Sequence, residues 1–172
     1  MSRFGTQARG TTLQTVLPYV VSVLCVLLHG IPLGLTSLPN LALGLFLVPL
    51  FSINLNNEMD RAPIYFVAVG LLADVLMEAP LGYWAFLSGL FYILSSGQKR
   101  VLQNAAFSSH WLSFVVVVFI VYLAGFVISL MRDDLDIQFG GQLLSALITG
   151  LFYPILAWPM GMIISPSSQE GL

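Results

Sequence analysis

The sequence predicts an all-α integral membrane protein, a bundle of six transmembrane helices, and three observations carry that prediction. Hydrophobic residues make up 58% of the 172 positions and charged residues only 8%, against roughly 25% charged in an average soluble domain. Six basic and eight acidic side chains are too few to cover a soluble surface, so lipid must replace water around most of the chain. The apolar residues also gather into six runs separated by short polar or turn-forming stretches.

A hydrocarbon layer about 30 Å thick needs about 20 helical residues, fewer where the bilayer thins or polar ends snorkel. The first run covers 13–29. Arg3 and Arg9 precede it as a signal peptide's basic region would, but the residues from His29 to Gly34 offer no small-residue cleavage site, and the segment reads as a retained anchor. The others cover 41–55, 63–79, 82–95, 111–131 and 142–164, with Pro63 suited to a first helical turn. Pro18, Pro49, Pro154 and Pro159 fall inside runs, where each can free a carbonyl and kink its helix. Residues 1–172 read as a single membrane domain, because the longest polar connection, 95–110, is too short to fold alone.

Five of the six basic residues, Arg3, Arg9, Arg61, Lys99 and Arg100, fall on one side of this layout, and Arg132 alone on the other. By the positive-inside rule both termini face the cytoplasm. Trp84 is then expected at the outer interface, and Trp111 and Trp158 at the inner one, as belt anchors. A net charge of −2 with one adjacent basic pair, Lys99 and Arg100, argues against nucleic acid as a partner. The single cysteine, Cys25, excludes an internal disulfide or a multi-cysteine metal motif and reads as a small buried hydrophobe.

An ionised carboxylate inside a membrane helix is costly, about 3 kcal/mol for an aspartate at the centre, so its presence calls for a reason. Asp74 and Glu78 stand four residues apart in the third run, a spacing that puts both on one helical face. They are expected to pin helix packing or to meet a partner. Pro80, Leu81 and Gly82 follow as a tight turn, in which proline cannot continue the helix and glycine permits a positive φ. Arg132, the one basic residue expected on that side, is the candidate partner of the carboxylates.

Small residues four apart, Ala85 with Gly89, Gly125 with Ser129, Ala146 with Gly150 and Ala157 with Gly161, offer faces for close helix crossings. Asp133, Asp134 and Asp136 lack the spacing and turn glycine of a calcium loop and read as a solvated rim. His29 and His110 fall at opposite interfaces and cannot share a metal. No nucleophile elbow, zinc-binding helix or P-loop is present, so neither catalysis nor a cofactor is expected.

The stretch from Gly70 to Gly82, a helix with G-x-x-x-D (Gly70, Asp74) running into Pro80, Leu81 and Gly82, resembles the most recognisable segment of the MreD family of rod shape-determining proteins. Length and helix number resemble that family too. Glu78 stands where many members have a small or polar residue. The resemblance implies a non-enzymatic scaffold in the bacterial inner membrane, part of the elongation machinery for peptidoglycan synthesis. It further implies association with MreC and, through it, with MreB, RodA and a class B penicillin-binding protein. The family also resembles the six-helix substrate-binding subunits of energy-coupling-factor transporters, which implies a second reading, a small-molecule-binding subunit. Such a subunit would carry a ligand that stabilises it. A neighbouring MreC-like reading frame would favour the scaffold, an ATPase pair the transporter.

Overall fold

The computed structural model describes residues 4–29, 44–56, 62–102, 105–131 and 139–164, with side chains placed for 16–28, 44–55, 62–99, 101–102, 105–131 and 140–157. All regular structure among them is helical. The helices are α1 (Phe4–His29), α2 (Leu47–Asn56), α3 (Ala62–Leu76), α4 (Tyr83–Leu102), α5 (Phe107–Met131) and α6 (Phe139–Ile164).

Polarity is distributed the reverse of a soluble fold. Large apolar side chains such as Ile64, Val75, Ile93, Leu112, Leu130, Leu151 and Ile155 lie exposed, while Ser22, Asn54, Asp74, Ser88, Ser95, Ser129, Ser145 and Thr149 are buried. Water would penalise such a surface, whereas lipid leaves it unpenalised and lets interior hydroxyls and amides join the helices. Among the described residues, two helical stretches, Phe107–Met131 and Gly140–Ala157, are long and apolar enough to cross a membrane. The chain thus has the character of a helical membrane protein.

The core is built around the shortest helix. α2 has 10 residues, about 15 Å of rise, and Leu47, Val48, Leu50, Phe51, Ile53 and Asn54 are all buried. A helix apolar on every side belongs inside a bundle. Phe51 meets Phe91 of α4, Phe114 of α5 and Tyr153 of α6 edge-on, at centroid separations of 6.2, 5.4 and 5.9 Å. Each such pair contributes about 0.5–1.5 kcal/mol beyond simple contact. The expected span over 41–55 is therefore a buried helix about half a bilayer long, preceded by a turn at 45–46. Pro49 falls in its first turn, where the missing N–H has no intrahelical carbonyl to lose, so it causes no kink.

α4 runs on to Leu102 instead of ending near 95, which shrinks the expected polar connection to α5. The polar stretch stays helical because it is tied down. Ser95 Oγ donates back to the Phe91 carbonyl at 2.7 Å and accepts from Asn54 Nδ2 at 2.8 Å, and Ser96 Oγ donates to Asn54 Oδ1 at 3.2 Å. Leu102 at its end is buried, and Gln98 meets Ser113 of α5. At the opposite end of the bundle, the buried Tyr122 hydroxyl accepts the Gly44 amide at 2.7 Å. α1 is tied to α3 by the Tyr65 hydroxyl, which donates to the Tyr19 carbonyl at 2.9 Å and meets Ser22.

Trp84 is 2% exposed, so it is a core residue and not the interfacial anchor its sequence position suggested. Its ring lies edge-on to Phe46 at 5.5 Å and to Tyr122 at 6.2 Å. Trp111 is partly exposed and donates from Nε1 to the Gly150 carbonyl at 3.0 Å, which ties α5 to α6. The side chains of His29 and Trp158, and all of Arg132, Asp133, Asp134 and Asp136, lie outside the described residues.

Candidate functional site

The residues singled out in the sequence meet where α3 turns into α4. α3 ends at Leu76, short of the expected 79, because Pro80 has no N–H and disfavours helical geometry at the residue before it. The chain leaves by a Schellman-type exit. The Ala79 amide donates to the Asp74 carbonyl at 3.0 Å, and Glu78 takes the left-handed conformation with φ 51°, the position usually held by glycine. Asp74 and Glu78 therefore do not share a face. The first is buried and the second exposed, because the helix that would have aligned them has already ended.

α4 starts from the turn that follows. Gly82 has φ 94°, which only glycine adopts freely. Its carbonyl accepts the Phe86 amide at 2.9 Å, and Pro80 accepts the Tyr83 amide at 3.0 Å. Gly82 is thus the N-cap of α4, a position where a serine or aspartate side chain normally accepts the amide two or three residues on. The backbone needs a glycine there, so the capping oxygen has to come from elsewhere. Asp74 supplies it: Oδ1 accepts the Trp84 amide at 2.6 Å and Oδ2 the Gly82 amide at 2.8 Å.

This double cap explains how a carboxylate that is 1% exposed is kept in an apolar bundle. Two backbone donors replace part of its lost hydration, and the positive end of the α4 dipole faces it. Hydrogen bonds of this charge-assisted kind contribute about 1.5–3 kcal/mol each, enough to offset a burial cost of about 3 kcal/mol.

One turn before Asp74, Gly70 lets the two helices close. A Cβ there would lie 2.3 Å from Ser88 Oγ, 2.6 Å from Ala85 Cα and 2.6 Å from the Trp84 carbonyl oxygen. Two of those atoms are backbone, so no rotamer change could make room. Ala85 is thus part of a true close crossing, whereas a Cβ at its companion Gly89 would meet only Val67, at 3.8 Å. Gly125 lies under the Tyr83 hydroxyl and Gly150 under Val115, two further crossings at sites the small-residue pattern marked.

Gly70, Asp74, Pro80, Leu81 and Gly82 thus form one unit, a close-packed hairpin with a carboxylate-capped turn. Sequence reasoning missed the buried Trp84 as a member, although an unpaired first-turn amide in a helix started by glycine was the signal. A groove between α1 and α3, lined by Tyr19, Val20, Val23, Leu24, Leu27 and Tyr65, is apolar and offers little to a polar ligand. Among the described residues, no group of three or more metal-ligating side chains occurs. No curated protein and no solved structure matches the chain, so the likeness to energy-coupling-factor subunits gains no support. Residues 9–162, nearly the whole length, match the family model described as rod shape-determining protein MreD, and the chain belongs to that membrane-associated family of structural shape-determining proteins.

Proposed function

We propose that this protein is a non-enzymatic scaffold of the bacterial cell-elongation complex, embedded in the inner membrane as a multi-pass helical bundle with both termini in the cytoplasm. The outward end of the bundle, the α3–α4 hairpin, presents a fixed surface to a partner. The supporting observation is the fate of Asp74. A carboxylate meant for proton transfer or ligand binding needs a free oxygen directed into a cavity, whereas both oxygens here are bound to the backbone amides that start α4. Asp74 shapes the surface and does not itself touch the partner.

MreC is the partner expected for this surface, with MreB, RodA and a class B penicillin-binding protein reached through it. The test is co-purification of MreC from native membranes with the wild-type chain, Asp74→Asn and Asp74→Ala at equal expression. Recovery should fall in step with the loosening of the hairpin. Undiminished recovery from an Asp74→Ala protein whose hairpin is demonstrably destabilised would remove the hairpin from the interface.

A further inference from the structure

α3 is too short for the bilayer it faces. Its 15 residues rise about 22 Å, against a hydrocarbon layer about 30 Å thick. Charged residues close off both ends. Glu58, Asp60 and Arg61 precede its first turn in the sequence, and the exposed Glu78 follows its last. Such side chains are costly to draw into hydrocarbon. α3 therefore gains no length from its neighbours, and tilting would only shorten its reach.

Another side of the bundle is long. α5 has 25 residues, about 37 Å, and its exposed apolar side chains run from Leu112 to Leu130. The two sides do not end level. A Cβ at Gly125 would touch Tyr83 and Leu87 in the first turns of α4, so the α3–α4 hairpin closes beside a point about 9 Å short of the outward end of α5 at Met131. The α3 face suits lipid better than another helix. Its exposed residues, Ile64, Val67, Ala68, Leu71 and Val75, include no pair of small residues four apart, the pattern that lets a second helix approach. Gly70 and Ala73 are turned inward instead.

We propose that the bundle thins the bilayer beside α3, holding a rim of phospholipid whose hydrocarbon is about 22 Å thick there and about 30 Å thick beside α5. Thinning is one response of a bilayer to a short span, and it favours shorter or more disordered acyl chains in the rim. It also lets Glu78 and the charges before α3 reach water at the same time. The proposal rests on the multi-pass placement of the bundle and not on its protein partner.

The test measures depth with nitroxide labels on the purified full chain in phosphatidylcholine vesicles. A Cys25→Ser background removes the chain's single cysteine. Ile64→Cys and Val75→Cys then report α3, and Leu112→Cys and Leu130→Cys report α5; all four side chains are exposed, so labelling them spares the core. Power saturation with oxygen and with a nickel chelate gives each label's depth, and the two depths on one helix added to the rise between them give the local thickness. The expected pair is about 22 Å at α3 and about 30 Å at α5. Equal thickness on both sides overturns the proposal. So do α3 labels that neither oxygen nor nickel reaches, which would assign the cover to a second copy of this chain. In longer-chain lipids the α3 value should stay put, and a value that follows the bulk bilayer overturns the proposal as well. Labels on α5 that read as outside the hydrocarbon defeat the membrane placement and this proposal together, whereas normal α5 depths beside a full-thickness α3 defeat this proposal alone.

Discussion

Replacing Asp74 tests the double cap by the sign of its effect. If the carboxylate were merely tolerated in the bundle, Asp74→Ala would remove a burial cost of about 3 kcal/mol and stabilise the protein. The geometry says the opposite. Alanine leaves the Gly82 and Trp84 amides without the oxygens now at 2.8 and 2.6 Å. Loss of an N-cap costs up to about 2 kcal/mol, and a second buried donor left unsatisfied adds about 1–3 kcal/mol. Set against the burial cost of about 3 kcal/mol that alanine also removes, the expected net destabilisation is up to about 2 kcal/mol. Asp74→Asn keeps one acceptor and turns an NH2 toward the other amide, so it should fall between alanine and the wild type. Reversible unfolding in mixed detergent micelles, followed by circular dichroism, gives the difference. An Asp74→Ala protein as stable as the wild type, or more so, would refute the capping account.

Four further substitutions test neighbouring claims. Gly70→Ala drives a methyl into the backbone of α4 at 2.6 Å and should destabilise by about 3 kcal/mol, the upper range for overpacking. Gly125→Ala meets at 2.6 Å only the far end of the flexible Tyr83 side chain and should cost clearly less; the ranking of the two melting temperatures decides it. Gly82→Ala meets no atom within 4 Å but keeps φ 94°, so a loss of about 1–2 kcal/mol from backbone strain alone is expected, and an unchanged midpoint would contradict it. Asn54→Ala breaks the bonds to Ser95 and Ser96 and should cost about 1–2 kcal/mol at the membrane-interior value of roughly 0.6 kcal/mol per bond, with hydrogen exchange in α4 beyond Ser95 accelerating.

The apolar runs were legible in the sequence because lipid imposes a simple rule, that backbone polar groups be satisfied within each helix. The hairpin turn was equally legible. Pro80 and Gly82 act through their own backbones, and the positive φ expected of Gly82 is found without reference to anything distant. Asp74 stood out because a charge in an apolar run is conspicuous whatever surrounds it. Its partner was not legible, since a spacing of four residues suggested Glu78 and topology suggested Arg132, which lies outside the described residues.

Tertiary structure decided the rest, because these features depend on groups far apart or on where a helix stops. Trp84 passed for a belt residue until Phe46, just before α2, and Tyr122 of α5 closed around it. α2 passed for a short span because an apolar run reads the same whether lipid or protein faces it. The polar residues after Ser95 passed for a loop until Asn54, 41 positions earlier, supplied their bonds. The sequence by itself determined which segments become helices in lipid and where the chain must turn, since those are properties of single residues and their neighbours. Only the fold could decide that the buried carboxylate caps the next helix, because that depends on Gly70 letting two backbones approach closely enough for one to borrow the other's side chain.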